Sequence, residues 1–270
     1  MGGTLATVGD NCIDRYLALK RSTVGGNAVN VAVHLAAAGL AVGYYGAVGA
    51  DEEGRRTIAA LRENGVDTGR VRIGPGATTA YTDIAVDADG ERVIAFEDFG
   101  ACAGYRPTPA EVEELRARRH VHIGWLDDDG ALKDALAASG TSVSQDLSVS
   151  QAPDHRRSAG LAIAFISAGP SLAEGRRLLA EALSGGARTA VVTCGALGSL
   201  AGDDAGTAET GILPVDVVDT LGAGDTFIAG FIAASIAGAP LQACLEAGRD
   251  AAAATCLHLG GFPQMPAPLA

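Results

Sequence analysis

Aromatic residues and cysteines are few in this chain, and it lacks long hydrophobic runs. Phenylalanine, tryptophan and tyrosine make up 4% of the 270 residues, so smaller side chains must supply most of any core. The five cysteines are odd in number and form no C-x-x-C pair, which excludes a disulfide framework or a closely spaced zinc site and indicates a reducing compartment. Glycine, aspartate or proline interrupts the apolar stretches well before about 20 residues, which excludes a transmembrane helix.

Positive charge is scarce as well. The chain has 20 lysine and arginine residues against 32 aspartate and glutamate residues, a net charge of −12. Nucleic acid and anionic membranes attract a positive protein face, so we expect neither as a partner. The first residues do not combine a basic start with an apolar core, so no signal peptide is predicted and a cytoplasmic location is expected. With 48% apolar residues, the length fits one domain over residues 1–270.

Short β-rich runs alternate with amphipathic helical runs along most of the chain. This alternation is typical of a mostly parallel sheet with helices on both faces. The predicted strands lie at residues 5–8, 42–48, 120–123, 141–145, 162–167 and 189–193. The predicted helices lie at residues 27–38, 52–64, 109–118, 130–138, 172–183 and 228–236.

One region interrupts the alternation. Residues 79–86 and 91–97 have the pattern of two strands joined through Asp89-Gly90, which is a hairpin turn signal. Together with the segment at residues 10–24, they predict a small β-lid over the ends of the main strands. Residues 10–24 and 77–100 are therefore assigned to this lid, and residues 263–270 are predicted to form a loose tail.

The segment V-D-T-L-G-A-G-D-T-F at residues 218–227 carries the strongest chemical signal. Two glycines bracket a small residue where a loop enters a helix, so backbone N–H groups can converge on an anion near the positive end of the helix dipole. Asp225 would repel a resting phosphate, so it is interpreted as a base that faces an attacking hydroxyl group. The alternative is that Asp225 is a helix N-cap and that Gly222 and Gly224 only form a tight turn.

A second glycine-rich segment covers residues 23–33. Gly25 and Gly26 precede a predicted helix that carries Asn27 and Asn30 near its start. Asparagine offers both a donor and an acceptor, which suits a ligand rich in hydroxyl groups. The alternative is a capped helix with Asn27 as its N-cap.

Together, the two segments resemble the paired signatures of the ribokinase/PfkB family of carbohydrate kinases. The matching patterns are G-G-x-x-x-N-x-A at residues 25–32 and D-T-x-G-A-G-D at residues 219–225. Segments at residues 9–14, 48–54 and 193–198 resemble the family's substrate motif, its V-G-x-D-x-x-G segment and its T-x-G-x-x-G nucleotide loop. Five matches in the family's order are far more specific than one glycine cluster.

The resemblance implies a three-layer αβα ribokinase-like fold with a mostly parallel sheet and a small β-lid. It also implies transfer of the γ-phosphoryl group of ATP to a sugar hydroxyl group, with Asp225 as the catalytic base. The implied anion hole consists of the amides of Gly222, Ala223 and Gly224. The implied substrate-binding residues are Asp14, Gly25, Gly26 and Asn30, and the implied nucleotide-binding residues are Thr193, Gly195 and Gly198.

The expected cofactors are ATP and Mg²⁺, with Asp219 as an outer-shell partner of the metal ion and a monovalent cation beside Asp219 as an open alternative. One element that is common in the family is missing. Where an N-x-x-E pattern is expected, residues 167–174 are S-A-G-P-S-L-A-E, and Glu174 lies one position away from the expected glutamate. This difference leaves open a catalytically weak sugar- or nucleotide-binding sensor of the same fold.

The segments at residues 9–14 and 25–33 look most like the fructoselysine 6-kinase branch, whose members phosphorylate a fructosamine. The cationic amine of such a substrate favours an acidic wall, although each acidic side chain is also typical of a solvated loop. The candidates for this wall are Glu97, Asp98, Asp127, Asp128 and Asp129. Kinases for ribose, fructose or a nucleoside remain alternatives, and the lid is a candidate homodimer interface. His120 and His122 share one face of a predicted strand, but without an evident third ligand they are assigned a structural role.

Overall fold

The computed structural model describes residues 4–86 and 92–269. The strands are Leu5–Val8 (β1), Cys12–Tyr16 (β2), Arg21–Gly25 (β3), Val42–Gly49 (β4), Asp67–Gly74 (β5), Tyr81–Val86 (β6), Arg92–Asp98 (β7), His120–Ile123 (β8), Val143–Asp146 (β9), Ile163–Ser167 (β10), Thr189–Thr193 (β11), Ser199–Asp203 (β12), Gly206–Thr210 (β13) and Ala267–Pro268 (β14). The helices are Asn27–Ala37 (α1), Glu52–Glu63 (α2), Pro109–Arg116 (α3), Ala131–Ala138 (α4), Leu172–Ser184 (α5), Ala223–Ile236 (α6) and Leu241–Thr255 (α7).

The main sheet runs in the order β13-β12-β11-β10-β9-β8-β1-β4-β5. From β11 to β5 every pairing is parallel, whereas β12 and β13 add an antiparallel edge. This topology confirms the prediction of a mostly parallel sheet. Because the carboxyl ends of parallel strands lie at one edge, the loops after β1, β8, β9, β10 and β11 come together there.

Helices cover both faces of the main sheet. On one face α1, α2, α6 and α7 pack in a single apolar cluster, where Phe165 of β10 meets Phe231 of α6 edge to face at 5.6 Å between ring centroids. On the other face, α3, α4 and α5 pack through Leu115, Leu136 and Leu179. Both faces of the parallel strands are therefore buried, which confirms the three-layer fold.

The motif at residues 48–54 has a structural role at the start of α2. Asp51 is the N-cap, and its Oδ1 accepts a hydrogen bond from Gly54 N (2.8 Å). The same carboxylate accepts hydrogen bonds from Thr79 N (2.7 Å) and Thr79 Oγ1 (2.6 Å). One side chain therefore caps the helix and also fixes the chain just before β6.

A second sheet, called here the small sheet, has the order β14-β3-β2-β6-β7. Its strands β2, β6 and β7 lie within the segments assigned to the lid, and β3 ends one residue beyond them, at Gly25. The predicted turn at Asp89-Gly90 and the predicted strand start at Glu91 lie outside the described residues. Just after β7, Phe99 stacks on Trp125, which follows β8, with 4.0 Å between ring centroids. The small sheet thus contacts the main sheet at the edge where the parallel strands end.

The register of the small sheet aligns four side chains in one row. Asp14 of β2 is paired with Thr23 of β3 and with Thr82 of β6, and Thr82 is paired with Glu97 of β7. Directly paired residues of neighbouring strands point to the same face of a sheet. Asp14 and Glu97 are therefore on the same face, about 10 Å apart across two strand spacings.

The prediction of a loose tail at residues 263–270 is wrong for the residues that the structure describes. Ala267 and Pro268 pair with β3, and Gln264 exchanges two hydrogen bonds of 2.8 Å with the backbone of Val24. Three prolines interrupt the segment, but its backbone hydrogen bonds hold it against β3. None of the helices in the described part of the chain has the length and hydropathy of a membrane span.

Candidate active site

The two glycine-rich segments meet where α1 and α6 begin. Asn27 Nδ2 donates to Asp225 Oδ1 (2.7 Å), and Asn30 Nδ2 donates to Asp225 Oδ2 (2.7 Å). Asp225 is the third residue of α6, whose N-cap is Gly222, so the carboxylate is not a helix cap. The fold thus brings the acid of one motif between the amides of the other.

The surroundings of Asp225 raise the pKa of its carboxyl group. Burial raises its pKa to about 8, although the hydrogen bonds from Asn30 and Asn27 act in the opposite direction. The negative charges of Asp146 and Asp10 add to the rise. A carboxylate with a pKa near the working pH can take a proton from a hydroxyl group in the transition state.

A second carboxylate, which the sequence did not predict, belongs to the same network. Asn27 Nδ2 also donates to Asp146 Oδ2 (3.0 Å), and Asp146 is the last residue of β9. Burial raises the pKa of Asp146 to about 6. The available signal was an acidic residue at the carboxyl end of a parallel strand, where ligands bind in open α/β sheets.

The alternative of Asn27 as a helix N-cap is wrong, because that position is Gly26. The first turn of α1 is bound by Asp10, whose carboxylate accepts from the backbone N–H groups of Asn27 (2.9 Å) and Ala28 (3.3 Å). It also accepts from Trp125 N (3.1 Å). Asp10 thereby frees the Asn27 side chain to bridge Asp146 and Asp225.

The Gly25-Gly26 turn packs directly on the substrate motif at residues 9–14. A Cβ atom at Gly25 would lie 2.0 Å from Asp14 Oδ2, and one at Gly26 would lie 2.5 Å from Asn11 Cα. Gly26 also has a φ of +105°, which favours glycine. Asp14 is 4% exposed and accepts a hydrogen bond from Cys12 Sγ (3.1 Å). Burial, with added repulsion from Asp219, Asp10 and Glu97, raises the pKa of Asp14 to about 7.

The three predicted anion-hole residues differ in their surroundings. Gly222 has a φ of +76°, and a Cβ atom there would lie 2.4 Å from Gly261 Cα. Ala223 N donates to Thr220 O (3.2 Å), so this N–H group is already engaged within the loop. At Gly224 an added Cβ atom would meet no atom within 4 Å, and in the described part of the chain its N–H group has no acceptor. Gly224 therefore combines an N–H group that has no acceptor among the described residues with open space beside it.

Asp219, the predicted outer-shell partner of Mg²⁺, is 1% exposed and is bound by protein donors. Its Oδ2 accepts from Tyr16 OH (2.6 Å) and Gly260 N (3.0 Å), and its Oδ1 accepts from Leu221 N (3.2 Å). Over residues 4–86 and 92–269, no group of three histidine, cysteine, aspartate or glutamate side chains could hold a metal ion. The residues at Asp219 therefore do not fit a direct metal ligand, and its role toward Mg²⁺ stays a prediction.

The predicted nucleotide-binding residues lie where β11 ends and turns into β12. Thr193 is the last residue of β11, and Gly195 begins the short helical turn that Gly198 closes. A Cβ atom at Gly198 would lie 2.0 Å from Thr210 O, whereas at Gly195 the space is open. This turn lies at the same edge of the sheet as Asp146, and its role in binding a nucleotide stays a prediction.

Several acidic candidates have structural partners. Glu174 lies in the first turn of α5, where its carboxylate pairs with Arg177 (2.5 Å). Asp128 accepts from Gly130 N (2.9 Å) and Leu132 N (2.7 Å) at the start of α4, and Asp98 accepts from Gly100 N (2.9 Å). Of the two acidic candidates on β7, Glu97 is the one on the face that carries Asp14.

Both histidines of β8 are buried and bonded to serine hydroxyl groups. His120 contacts Ser142 (2.9 Å) and Ser144 (2.8 Å), and His122 contacts Ser144 (2.9 Å). Burial lowers the pKa of His120 to about 4 and that of His122 to about 3, so both rings are neutral. These contacts fit the structural role that the sequence predicted.

Comparison with known proteins defines the family. The pfkB family carbohydrate kinase model matches residues 20–143 and 159–268. Fructoselysine 6-kinase of Escherichia coli strain K12 is 36% identical over 96% of this chain and 99% of that protein. Fructosamine kinase FrlD of Bacillus subtilis strain 168 is 28% identical over 96% of this chain and 92% of that protein. Arabidopsis thaliana ribokinase, solved with ribose and ATP, superposes with a TM-score of 0.85 at 22% identity, over 96% of this chain and 94% of that one.

The chain therefore belongs to the pfkB family of carbohydrate kinases. The predictions of a ribokinase-like fold and of an ATP-dependent phosphotransferase that acts on a sugar are confirmed.

Proposed function

We propose that the protein phosphorylates a fructosamine such as fructoselysine, using ATP as phosphoryl donor and Asp225 as the base. The incoming hydroxyl group passes its proton to Asp225 while its oxygen bonds to the γ-phosphorus and ADP leaves. Such transfer passes through a loose transition state, so positioning and charge stabilisation dominate. What supports the base is the geometry of Asp225, held through both oxygens by Asn27 and Asn30.

The remaining site residues are assigned within the same proposal. The N–H group of Gly224, with the open space beside it, is the main donor to the transferred phosphoryl group, and the loop that includes Gly222 and Ala223 surrounds it. Asp14 and Asn30 bind the sugar hydroxyl groups, next to Gly25 and Gly26. The nucleotide lies along Thr193, Gly195 and Gly198. Mg²⁺ enters with ATP as part of the nucleotide substrate, and a monovalent cation is not required by this proposal. The proposed donor, ATP, favours a cytoplasmic location.

The acceptor is inferred from charge on the small sheet, which we propose to cover the bound sugar as a lid. Asp14 and Glu97 point from the same face of this sheet, and the charge of Glu97 raises the pKa of Asp14. A cation bound between them would relieve this repulsion. A ketose joined to an amine offers hydroxyl groups to Asp14 and a positive charge to Glu97. The 36% identity to a fructoselysine 6-kinase points to the same acceptor.

The test is an ADP-release screen with MgATP against fructoselysine, fructose, ribose and a nucleoside. We expect the highest kcat/KM for fructoselysine. Asp225→Asn is expected to lower kcat by about 10²- to 10⁴-fold, the usual contribution of a general base, while ADP binding by calorimetry stays measurable. Near-normal turnover in this variant would show that the base is assigned incorrectly. Release of no ADP with any acceptor would instead fit a binding sensor.

The variant Glu97→Gln tests the choice of acceptor independently of the phosphoryl-transfer step. We expect KM for fructoselysine to rise by about fivefold, the upper end for a single exposed ion pair, and KM for free fructose to stay unchanged. Glu63→Gln at the exposed end of α2 is the matched control, because it removes the same charge away from the small sheet. Equal or higher kcat/KM with fructose or ribose would overturn the fructosamine acceptor and leave the kinase chemistry intact.

A further inference from the structure

A buried tyrosine links the small sheet to the loop that precedes α6. Tyr16 is the last residue of β2 and is 2% exposed. Its hydroxyl group donates to Asp219 Oδ2 at 2.6 Å, across 203 residues of sequence. A hydrogen bond to a carboxylate is about twice as strong as one between neutral groups, so this contact firmly links β2 to the loop that precedes α6.

The carboxylate of Asp219 joins three parts of the chain. Besides Tyr16 OH, it accepts from Leu221 N in its own loop and from Gly260 N in the turn after α7. That turn packs on Gly222, because a Cβ atom at Gly222 would lie 2.4 Å from Gly261 Cα. The position of the loop at residues 219–222 therefore depends on what Asp219 holds.

Strand β2 also carries Asp14, the residue proposed to bind the sugar. Asp14 and Tyr16 are two residues apart on β2, so their side chains point to the same face of the strand. Gly260 lies against the next strand, since a Cβ atom there would be 2.8 Å from Thr23 Oγ1 of β3. Tyr16 therefore links the strand that carries Asp14 directly to Asp219.

We propose that Tyr16 is a positioning residue that sets the loop at residues 219–222 according to the position of β2, so that the sugar and the terminal phosphate of ATP strengthen each other's binding. The proposal rests on the proposed function, because it takes Asp14 as a residue that binds the sugar and the Gly224 N–H group as a hydrogen-bond donor to the phosphate. Coupling of this kind is reciprocal: the factor by which the sugar tightens the nucleotide equals the factor by which the nucleotide tightens the sugar.

The experiment uses Tyr16→Phe, which removes only the hydroxyl group. The Kd of a non-hydrolysable ATP analogue with Mg²⁺ is measured by calorimetry with and without saturating acceptor from the screen. In the unmodified protein we expect the acceptor to lower this Kd by about 5- to 150-fold, the usual range of coupling between sites. In Tyr16→Phe the ratio is expected to fall toward one, with the acceptor-free Kd little changed.

Tyr45→Phe is the matched control. Tyr45 is also buried, but its hydroxyl group contacts Arg118 (2.9 Å) and Glu114 (3.3 Å) on the α3 side of the main sheet. This variant should retain the full ratio. If Tyr16 served only the fold, Tyr16→Phe would lower thermal stability and keep the ratio of the unmodified protein.

A double-mutant cycle supplies a second measurement. Asp219→Asn should also lower the ratio, and adding Tyr16→Phe to it should lower the ratio no further, because the two residues act through one contact. An unchanged ratio in Tyr16→Phe, or no coupling in the unmodified protein, would overturn the role of Tyr16. These outcomes leave the proposed function standing if the unmodified protein phosphorylates its acceptor, whereas failure of the screen rejects the proposed function itself.

Discussion

At the scale of single residues, Asp225 combines two opposing influences. Amide donors on both oxygens favour its carboxylate form, whereas burial and the charges of Asp146 and Asp10 favour the protonated form. The second group of influences is the larger one, since the pKa lies at about 8. Asn27 acts in both directions. Its hydrogen bond to Asp225 lowers the pKa of that group, and its hydrogen bond to Asp146 keeps a second negative charge nearby.

The pH dependence of catalysis follows from this balance. Because the base must be deprotonated, kcat/KM should rise with pH through about 8, the pKa of Asp225 in the free protein. Asp146→Asn keeps an acceptor for Asn27 and removes one negative charge beside Asp225. The rising limb of the profile should therefore move to lower pH in this variant. An unmoved limb, or one moved to higher pH, would contradict the electrostatic role of Asp146.

Thermal unfolding checks the same group independently. The pKa of Asp225 is higher in the folded protein than its ordinary value of 3.8, so between these two values the folded state binds more protons than the unfolded state. Its contribution to the free energy of unfolding therefore falls as pH rises from about 4 to about 8. Asp225→Asn should raise Tm relative to the unmodified protein at alkaline pH, and the gain should shrink toward pH 4.

At the scale of elements, the first turn of α6 holds two glycines with different roles. A Cβ atom at Gly222 would clash with Gly261, and the backbone there has a left-handed φ of +76°. At Gly224 the space for a Cβ atom is open. Gly222→Ala should therefore destabilise the fold by about 1–3 kcal/mol through strain. Gly224→Val should leave Tm within a few degrees and weaken binding of the ATP analogue at least tenfold, because the side chain fills the space for phosphate. If Gly224→Val binds the analogue normally, no phosphate lies at this position.

The accuracy of the sequence predictions also varies by element. The strands at residues 120–123 and 189–193 were predicted with their observed bounds, because an arginine precedes each of these short runs and a glycine follows within two residues. Strand β5 was missed because Asp67, Arg70 and Arg72 give this edge strand a polar sequence, and α7 was missed although Cys244, Leu245 and Gly248 lie at helical spacing on its buried face. The pairing of β14 depends on backbone hydrogen bonds, which leave no apolar pattern to find.

For the site, the glycine-rich segments indicated Asp225 and Asn30, and the family resemblance implied Asp14. Asp146, Tyr16 and the bridging role of Asn27 could not be deduced, because their partners lie between 119 and 203 residues away in the sequence. Long-range partners of this kind depend on strand order, which periodicity does not determine.

At the scale of the whole molecule, the outer face of the small sheet is a candidate contact between two copies of the chain. Phe96 is 53% exposed and Val93 is 40% exposed, both on β7, an edge strand whose register places these two side chains on the face opposite Asp14. Exposed apolar side chains on an edge strand favour association with a second chain. We propose a homodimer through this sheet, as the sequence suggested. Light scattering should give twice the mass of 27.0 kDa, and Phe96→Asp should give the monomer. A monomer in the unmodified protein would reject the dimer.

The stacking of Phe99 on Trp125 has a practical consequence. Trp125 is the single tryptophan of the chain, and its ring rests on a residue that follows the small sheet. Intrinsic indole fluorescence therefore comes from one place, the junction between the small sheet and the main sheet. A change in the contact between Phe99 and Trp125 during turnover can be followed by stopped-flow emission without attaching any dye.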